Sequence, residues 1–361
     1  MIRDGLAREQ LRLALIYDLG PTVAKLDLGG SPCCGSFLAL PSSGLYIQAT
    51  QTGSPEYMPS RSYPQLDSFL EKHTQSRPAE PLIAVFDCDD TIIRGDIGEA
   101  MLYFQLEHFL FRVSPAELWP DFPKRQELQN LYEGLASLPA EKRWPDRRFL
   151  SFADLILSWY FDQLAANNPE KACADIVRLF ADYTDSEVRK IAEATLRKEL
   201  ASPVTQRTIG RHSLPKGIRF VRETIDILQT LRKLDFDIWC VSGSNQWSVE
   251  AVWEKLGMPF NRVIGIGLEE KLDLLTSTVR TPIPVRQGKV DALLERSMDP
   301  PLVVVSDSLY DVPLFKYSKE LKVLVLWDEE TADGFFSTAG IRKDDSWLII
   351  QQATLEQEPD A

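Results

Sequence analysis

Short apolar runs that alternate with helical patterns are the feature that most limits what this chain can fold into. The run at residues 81–86, PLIAVF, is rich in strand-forming residues and stops at Asp87, which is typical of a buried strand. Four similar runs follow, at residues 236–242, 262–268, 301–307 and 321–327. The segment before the second run places Ile225, Leu228 and Leu231 on one helical face. Strands that alternate with helices predict parallel βαβ units, whose sites lie at the carboxyl ends of the strands.

A long stretch of different character, roughly residues 97–215, separates the first run from the second. Its pattern predicts helices throughout, with Pro and polar breaks between them. We therefore predict an α/β core made of residues 81–96 and 216–350, with an all-helical cap inserted into it. Residues 1–80 contain clusters of Gly, Pro and Ser and are predicted to form an N-terminal extension of unknown role, and residues 351–361 a C-terminal tail.

The length and charge of the chain limit its partners. It has 361 residues, of which 44% are hydrophobic, so it is long enough for two or three compact units. Its formal net charge of −13 argues against nucleic acids and anionic membranes as partners, because they bind clustered Lys and Arg. An anionic small substrate would need a local positive charge or a metal ion.

The N-terminal sequence and the cysteines predict a cytoplasmic location. Charged residues interrupt the apolar run that a signal peptide needs: Arg3, Asp4, Arg8, Glu9 and Arg12. No run approaches the length that spans a bilayer. The five cysteines are odd in number and lack the spacing of metal ligands: Cys33, Cys34, Cys88, Cys173 and Cys240. Free thiols suit a reducing compartment better than a disulfide scaffold would.

The first apolar run ends in a pair of carboxylates. In VFDCDDT, Asp87 and Asp89 point to the same side if the chain stays extended for these residues. Like charges so close are costly unless a cation lies between them or one acid keeps its proton. The pattern therefore favours Mg²⁺ and a proton-transfer role, while an acidic turn with an Asp helix cap is the structural alternative.

Polar residues also stand at the ends of later runs. Ser242 ends the second run and Gly243 follows it, where a hydroxyl and free N–H groups can bind phosphoryl oxygens. Asp307 ends the fourth run, Asp311 follows four residues later, and Lys289 stands near the start of a helical pattern between the two. Each residue alone has a structural alternative, as a helix cap, a surface lysine or a capping turn. Their occurrence together at successive strand ends favours one shared site.

Four segments, VFDCDDT, VSGS, QGK and VVVSDSLYD, together resemble the motifs of the haloacid dehalogenase-like superfamily. The resemblance implies a Rossmann-like sheet and a Mg²⁺-dependent phosphomonoester hydrolase that acts on a small phosphorylated metabolite. Asp87 would attack phosphorus to form an aspartyl-phosphate, and Asp89 would act as general acid and then base. The implied phosphate-site residues are Thr91, which would brace the loop, Ser242, Gly243 and Lys289. The implied Mg²⁺ ligands are Asp87, Asp89 through its carbonyl, Asp307 and, as a ligand or a support for Lys289, Asp311.

A helical insert between the first two motifs is similar to the phosphoserine-phosphatase-like branch of the superfamily. The segments RGDIGEAMLYF and DLILSWYFDQL are most similar to phosphorylcholine-phosphatase-like members. Asp96 and Glu99 fall where that branch places acids facing the substrate, so they could receive an amino or quaternary ammonium group. Alternatively, Glu99 only starts a helix, where the helix dipole favours an acid. Aromatic residues of the insert could surround a cation or simply form a core: Trp119, Trp144, Phe152, Trp159, Tyr160 and Phe161.

Other functions have less support in the sequence. Cys88 and Arg94 have the Cys-x5-Arg spacing of a cysteine-dependent phosphatase, but the carboxylates between them would repel both thiolate and phosphate. A phosphotransferase or phosphomutase of the same fold stays open, as does a binding protein without catalysis. A Ser/His/Asp hydrolase has little to build on, since none of the three histidines stands at a strand end.

Overall fold

The structure is a computed structural model that describes residues 63–75, 82–327 and 331–352. Its strands are β1 (Ile83–Phe86), β2 (Ile93–Arg94), β3 (Thr205–Ile209), β4 (His212–Lys216), β5 (Arg219–Phe220), β6 (Asp237–Asn245), β7 (Val263–Ile266), β8 (Leu268–Lys271), β9 (Leu274–Val279), β10 (Val303–Ser306), β11 (Leu321–Trp327) and β12 (Trp347–Gln352). Its helices are α1 (Pro64–Gln75), α2 (Ile97–His108), α3 (Pro115–Leu118), α4 (Arg125–Ala136), α5 (Ala140–Arg143), α6 (Arg147–Ala165), α7 (Pro169–Arg178), α8 (Asp185–Ala201), α9 (Arg222–Lys233), α10 (Gln246–Lys255), α11 (Gln287–Glu295), α12 (Val312–Tyr317) and α13 (Ala332–Ala339), with 3₁₀ turns at Phe260–Arg262 and Leu309–Asp311.

A six-stranded parallel sheet forms the core, in the order β12, β11, β10, β1, β6, β7. Strand β1 lies in the middle, with Val85 opposite Val304 on one side and Trp239 on the other. Its side chains alternate between two apolar cores, because successive residues of a strand face opposite sides of the sheet: Ala84 packs on one side and Val85 on the other. The predicted α/β class with a parallel sheet is confirmed.

Two details of the sheet differ from the sequence prediction. The run predicted at 262–268 is split, since β7 ends at Ile266 and Leu268 begins a separate antiparallel hairpin of β8 and β9. The predicted C-terminal tail began at residue 351, but Gln351 and Gln352 belong to edge strand β12. Residues 353–361 lie outside the described part of the chain.

Helices α2 to α8 form the insert between β2 and β5, and much of the insert has an apolar core of its own. Trp119, Phe149 and Phe152 are fully buried in that core. The prediction that residues 97–215 are helical throughout is wrong at its end, where β3 and β4 form a hairpin. In β3, Arg207 and Ile209 are buried and the residues next to them are exposed. This alternation is typical of a strand. The domain boundaries stay a prediction.

The insert leaves and rejoins the core side by side. Strands β2 and β5 pair antiparallel, with Ile93 opposite Phe220. The Val221 N–H also donates to the Ile92 carbonyl at 2.9 Å. The pairing holds together the segment that enters the insert and the segment that leaves it. Because β2 follows the loop after β1, the insert starts next to the carboxyl ends of the sheet strands.

Only part of the predicted N-terminal extension is described by the structure. Helix α1 packs Leu66 and Phe69 into the core on one face of the sheet. The other residues of the predicted extension, 1–62 and 76–80, lie outside the described residues. Among the described residues, we find no helix with the length and apolar character that crossing a bilayer requires.

Candidate active site

Asp87 is fixed at the carboxyl end of the central strand. Its N–H continues the pairing with β10 by donating to the Val305 carbonyl at 2.9 Å. Its Oδ1 accepts from the Cys88 N–H at 2.8 Å and lies 2.8 Å from Nζ of Lys289. Burial raises the pKa of Asp87, and the Lys289 ammonium acts in the opposite direction. The carboxylate is therefore oriented by one backbone donor and one cation.

Lys289 lies in the first turn of α11 and connects two acids. Its side chain is buried, and its Nζ also donates to Oδ2 of Asp311 at 2.7 Å. Ser306 donates to the same Asp311 oxygen at 2.7 Å. Burial alone would lower the pKa of Lys289, but the carboxylates of Asp311 and Asp87 outweigh it and raise the pKa. The lysine is thus held as a cation directly beside Asp87.

Asp89 accepts three hydrogen bonds. Ser242 and Ser244 donate to its Oδ2 at 3.1 and 2.7 Å, and the Ile97 N–H donates to its Oδ1 at 2.8 Å. Burial raises the pKa of Asp89, and these three donors offset part of the rise. A carboxyl group with a raised pKa is suited to hold the proton that a general acid donates.

Ser244 was not among the predicted site residues. The signal was present in the sequence, because Ser244 lies two residues after Ser242, and alternate residues of a strand face the same side. Strand β6 extends through both serines to Asn245, whereas the prediction ended the strand at Ser242. The extra length of the strand brings the second serine to Asp89.

Thr91 connects the first and last motifs. Its hydroxyl donates to Oδ1 of Asp307 at 2.9 Å, and the Asp307 N–H donates back to it at 3.1 Å. Burial raises the pKa of Asp307 to about 8, and the nearby charge of Asp90 adds to the rise. Thr91 is fully buried, so it acts on the site through Asp307.

A cavity of about 290 Å³ brings most of the predicted site residues together. Eight of them line it: Asp87, Asp89, Asp96, Glu99, Gly243, Lys289, Asp307 and Asp311. Thr91 and Ser242 do not line the cavity. Thr91 donates a hydrogen bond to Asp307, and Ser242 donates one to Asp89. The remainder of the wall includes Ser244, Tyr160, Cys173, Arg286 and Tyr310.

Asp96 and Glu99 line the insert side of the cavity. Asp96 caps α2 by accepting from the Glu99 N–H at 2.7 Å. The two oxygens of Glu99 accept from the hydroxyls of Tyr103 and Tyr160, at 2.7 and 3.0 Å. Burial raises the pKa of both acids. Glu99 therefore both starts a helix and faces the cavity.

The aromatic residues of the insert do not surround the cavity. Of the six named in the sequence, Tyr160 lines it. Trp119 and Phe152 are fully buried in the core of the insert, Trp159 and Phe161 pack against that core, and Trp144 is about half exposed. Apart from Tyr160 and Trp144, these residues follow the structural alternative, in which the aromatics of the insert build a core.

The acidic groups suit a hard metal ion. Within residues 63–75, 82–327 and 331–352, no three His, Cys, Asp or Glu side chains lie close enough to hold a metal ion alone. Mg²⁺ does not need such a set, because one or two carboxylates with water and phosphate oxygens suffice. Asp311 Oδ1 is buried and accepts no hydrogen bond from the described residues. One or two of the cavity carboxylates, with water, would therefore suit this ion, and the predicted ligands Asp87, Asp89, Asp307 and Asp311 stay a prediction.

The geometry argues against a cysteine nucleophile. Cys88 is fully buried, and its hydrogen bond with Cys240 and its burial raise the pKa of the thiol. Arg94 lies with its guanidinium 4.7 Å from the ring centroid of Trp327. Neither Cys88 nor Arg94 lines the cavity.

Comparison with known proteins gives a family and a fold. A sequence model described as "haloacid dehalogenase-like hydrolase" matches residues 84–316. A search of curated proteins found no match. A solved structure of a conserved functionally unknown protein from Anaerococcus prevotii DSM 20548 has 18% identity and a TM-score of 0.59, with 76% of this chain and 87% of that chain covered. At this identity the likeness shows a shared fold.

Two further solved structures are less similar. A substrate-bound phosphoserine phosphatase complex has 13% identity and a TM-score of 0.37, with 69% of this chain and 87% of that chain covered. A cytosolic 5'-nucleotidase IIIB bound to cytidine has 14% identity and a TM-score of 0.41, with 80% and 85% covered. The family match spans residues 84–316 of 361, which is more than half of the chain and includes all four motifs. The chain therefore belongs to the haloacid dehalogenase-like hydrolase family.

Proposed function

We propose that this hydrolase is a Mg²⁺-dependent phosphatase that removes the phosphoryl group of a small metabolite through an aspartyl-phosphate on Asp87. The observation that carries the proposal is the position of Asp87, held 2.8 Å from the Lys289 ammonium in the same cavity as Asp89. Transfer of a phosphoryl group to a carboxylate requires the carboxylate itself, a positive charge and an acid that can donate a proton. All three lie together at the carboxyl end of the sheet.

In the first step, an oxygen of Asp87 attacks phosphorus and the bond to the leaving oxygen breaks. Asp89 donates its proton to that oxygen, which leaves as an alcohol. Lys289 balances negative charge on Asp87 and on the phosphoryl group. Mg²⁺ would supply further positive charge to the phosphoryl oxygens when bound by Asp87, Asp307 and the carbonyl of Asp89, with Asp311 beside it.

In the second step, Asp89 acts as a base. The aspartyl-phosphate is a mixed anhydride, which water can attack at phosphorus. Asp89 removes a proton from that water, and Asp87 is released as a carboxylate with inorganic phosphate. The Ser242 and Ser244 hydroxyls and the Ile97 N–H hold Asp89 in place for both transfers. A well-tuned acid and base group contributes about 10²- to 10⁴-fold to the rate.

The cavity favours a small substrate that carries a cation. Its volume of about 290 Å³ is at the low end for ligand sites. Asp96 and Glu99 line the insert side of the cavity, where burial raises their pKa values. A bound cation would favour their ionised forms and offset that rise. We therefore propose an amino or quaternary ammonium group as the second recognition element, as in phosphoserine or phosphorylcholine. The cytoplasmic location stays a prediction.

A phosphate-release screen tests the proposed function. Purified protein is incubated with small phosphomonoesters, with Mg²⁺ or with EDTA, and free phosphate is measured against substrate loss. We expect release that requires Mg²⁺ and equals substrate loss. Substrate loss with little free phosphate would instead indicate a phosphotransferase or phosphomutase. No turnover of any phosphomonoester would favour a binding protein.

Replacing Glu99 with Gln tests the proposed cation site. We expect kcat/KM for phosphoserine or phosphorylcholine to fall about tenfold or more, because a charged interaction in a buried site is lost. Turnover of p-nitrophenyl phosphate, which has no cation, should change much less. Glu117→Gln, an exposed change of the same kind in the insert, is the control. Equal losses on both classes of substrate would contradict a role for Glu99 in recognition.

Removing metal should make stability depend on pH. The pKa of Asp307 is about 8 and that of Asp87 is also raised, both above the range of an unfolded Asp near 4. These two carboxyl groups therefore bind protons more tightly in the folded protein than in the unfolded chain. Their contribution to stability is complete below about pH 4 and is lost as the pH rises through about 8. In EDTA we expect the melting temperature to decrease from pH 5 to pH 9, and Mg²⁺ to restore it at pH 9.

Asp307→Asn is the control for this pH dependence. The variant lacks one of the shifted carboxyl groups, so its melting temperature in EDTA should decrease less between pH 5 and pH 9. The same slope in the variant and the original protein would show that the decrease has another source.

A further inference from the structure

The insert and the core meet in two different ways. Away from the cavity they share a continuous apolar core, in which Phe104 and Phe180 of the insert pack with Trp247 of α10 and Leu275 of β9. Leu275 also pairs with the insert through its backbone. Its carbonyl accepts from the Asp182 N–H at 2.8 Å, and its N–H donates to the Tyr183 carbonyl at 2.8 Å. Separating the insert from the core here would expose apolar surface and break backbone hydrogen bonds.

Helix α8 of the insert is joined to α10 of the core by polar contacts as well. Trp247 donates from its indole N–H to Oδ1 of Asp185 at 2.7 Å. Arg189 donates to the buried carboxylate of Glu250. A swing of the whole insert away from the cavity would break these contacts together with the apolar core. A movement of one side chain at the cavity would cost less free energy than a swing of the whole insert.

At the solvent-exposed side of the cavity, which we call its mouth, the two parts also meet through a polar side chain. Arg286 belongs to the core and lines the cavity beside Lys289. Its guanidinium lies 4.8 Å from the ring centroid of Tyr310. On the insert side it donates to the carbonyl of Asn167 at 3.3 Å and to the Asn167 side-chain oxygen, and it lies 3.6 Å from Glu170. These contacts are partly exposed to solvent, with 28% of the Arg286 side chain accessible.

The backbone fixes Arg286 to the turn that positions the phosphate-site lysine. Arg286 has φ 53° and ψ −122°, which L-residues rarely adopt. Its carbonyl accepts from the Lys289 N–H at 3.2 Å. A Cβ on Gly288 would lie 1.8 Å from the Ile283 carbonyl oxygen, so the backbone of this turn packs too closely to admit a side chain at that position. Unusual backbone that the surroundings hold in place is frequent at functional sites.

We propose that Arg286 is the gate of the cavity. Substrate passes when the guanidinium releases Asn167 and Glu170, while the insert stays docked through Leu275 and α8. The side chain then closes again over the bound substrate, so Arg286 limits the size of the leaving group. Only the part of this inference that concerns substrates rests on the proposed phosphatase function.

Accessibility of Cys173 tests the gate without any catalytic activity. Cys173 lines the cavity, and burial followed by the charge of Asp96 raises the pKa of its thiol. The protein is treated with N-ethylmaleimide, and modification of Cys173 is followed by peptide mass spectrometry. Arg286→Ala should speed this reaction about tenfold or more, because the charged hydrogen bonds that close the gate are lost. Loss of a positive charge would by itself raise the thiol pKa and slow the reaction, so a faster reaction reports access.

Matched variants distinguish the opening of the gate from a general destabilisation of the fold, which would also expose Cys173. Asn167→Ala removes the acceptor side chain on the insert and should also speed modification, by less than Arg286→Ala. Arg286→Lys keeps a cation that can reach one acceptor and should give an intermediate rate. Arg296→Ala removes an arginine just beyond the other end of α11 and should leave the rate unchanged. An unchanged rate in Arg286→Ala, or an equal increase in Arg296→Ala, would overturn the gate.

Kinetics then test the limit on leaving-group size. With Arg286→Ala, kcat/KM for an ester with a bulky leaving group should rise relative to that for phosphoserine, and Arg296→Ala should leave the ratio unchanged. An unchanged ratio in Arg286→Ala would overturn the size limit. If the original protein hydrolyses no phosphomonoester, the proposed function fails and the Cys173 experiment still decides whether Arg286 is a gate.

Discussion

Asp87→Asn is expected to reduce phosphate release by about 10⁴-fold or more, as loss of a nucleophile does in other enzymes with covalent intermediates. The amide is nearly the same size as the carboxylate, so the Cys88 N–H can still donate to its oxygen. It lacks the negative charge that attacks phosphorus, and no aspartyl-phosphate can form. The rate is measured as free phosphate with Mg²⁺ and the best substrate of the screen. A melting curve checks that the variant is folded.

Cys88→Ala is the matched control, because it changes the neighbouring residue in the same loop. Cys88 is buried in the apolar core and does not line the cavity, so the truncation to Ala should cost some stability and leave the rate within a few-fold. The opposite result, an inactive Cys88→Ala and an active Asp87→Asn, would restore the cysteine-dependent alternative. Activity in both variants would show that another residue is the nucleophile.

The sheet was predictable because buried parallel strands have a strong sequence signal. The runs around Val85 and Val304 are apolar on both faces, and each ends at an acid. Strand order follows less directly, since pairing joins segments more than two hundred residues apart, such as β1 and β10. The hairpin of β3 and β4 was missed because its polar strands, TQRTI and HSLPK, contain few apolar residues.

The sequence predicted which residues would meet, but it gave few of their contacts. The motifs named Asp87, Asp89, Lys289 and Asp307, and the structure places them around one cavity. The resemblance left Asp311 as either a metal ligand or a support for Lys289. The contact between the two residues depends on how α11 packs against the loop after β10, which no local pattern shows.

Arg286 shows the limit of sequence reading most clearly. It stands three residues before Lys289 and looks like an ordinary surface arginine. Its role as a bridge arises from the turn between α6 and α7, more than a hundred residues earlier in the chain, which meets it at the cavity mouth. Contacts of this kind follow from the tertiary fold and leave no local pattern.

Lys289→Met is expected to have the largest effect on stability. Methionine has a similar length but no charge, so Asp87 and Asp311 would stay buried without their shared cation. Removing one partner of a buried ion pair typically costs about 3–5 kcal/mol. Phosphate release should also fall by about 10²-fold or more, because the charge beside the phosphoryl group is lost. Chemical denaturation and the phosphate assay measure the two effects.

The double variant Lys289→Met with Asp311→Asn separates the two roles of the lysine. Removing Asp311's charge along with the cation leaves one buried carboxylate fewer, so the double variant should be more stable than Lys289→Met alone while activity stays low. In EDTA, Lys289→Met should also regain stability relative to the original protein as pH is lowered, because a buried carboxyl group without a cation binds protons more tightly than in the unfolded chain. Additive losses in the double variant, or no recovery at low pH, would show that Lys289 does not stabilise the fold through these two acids.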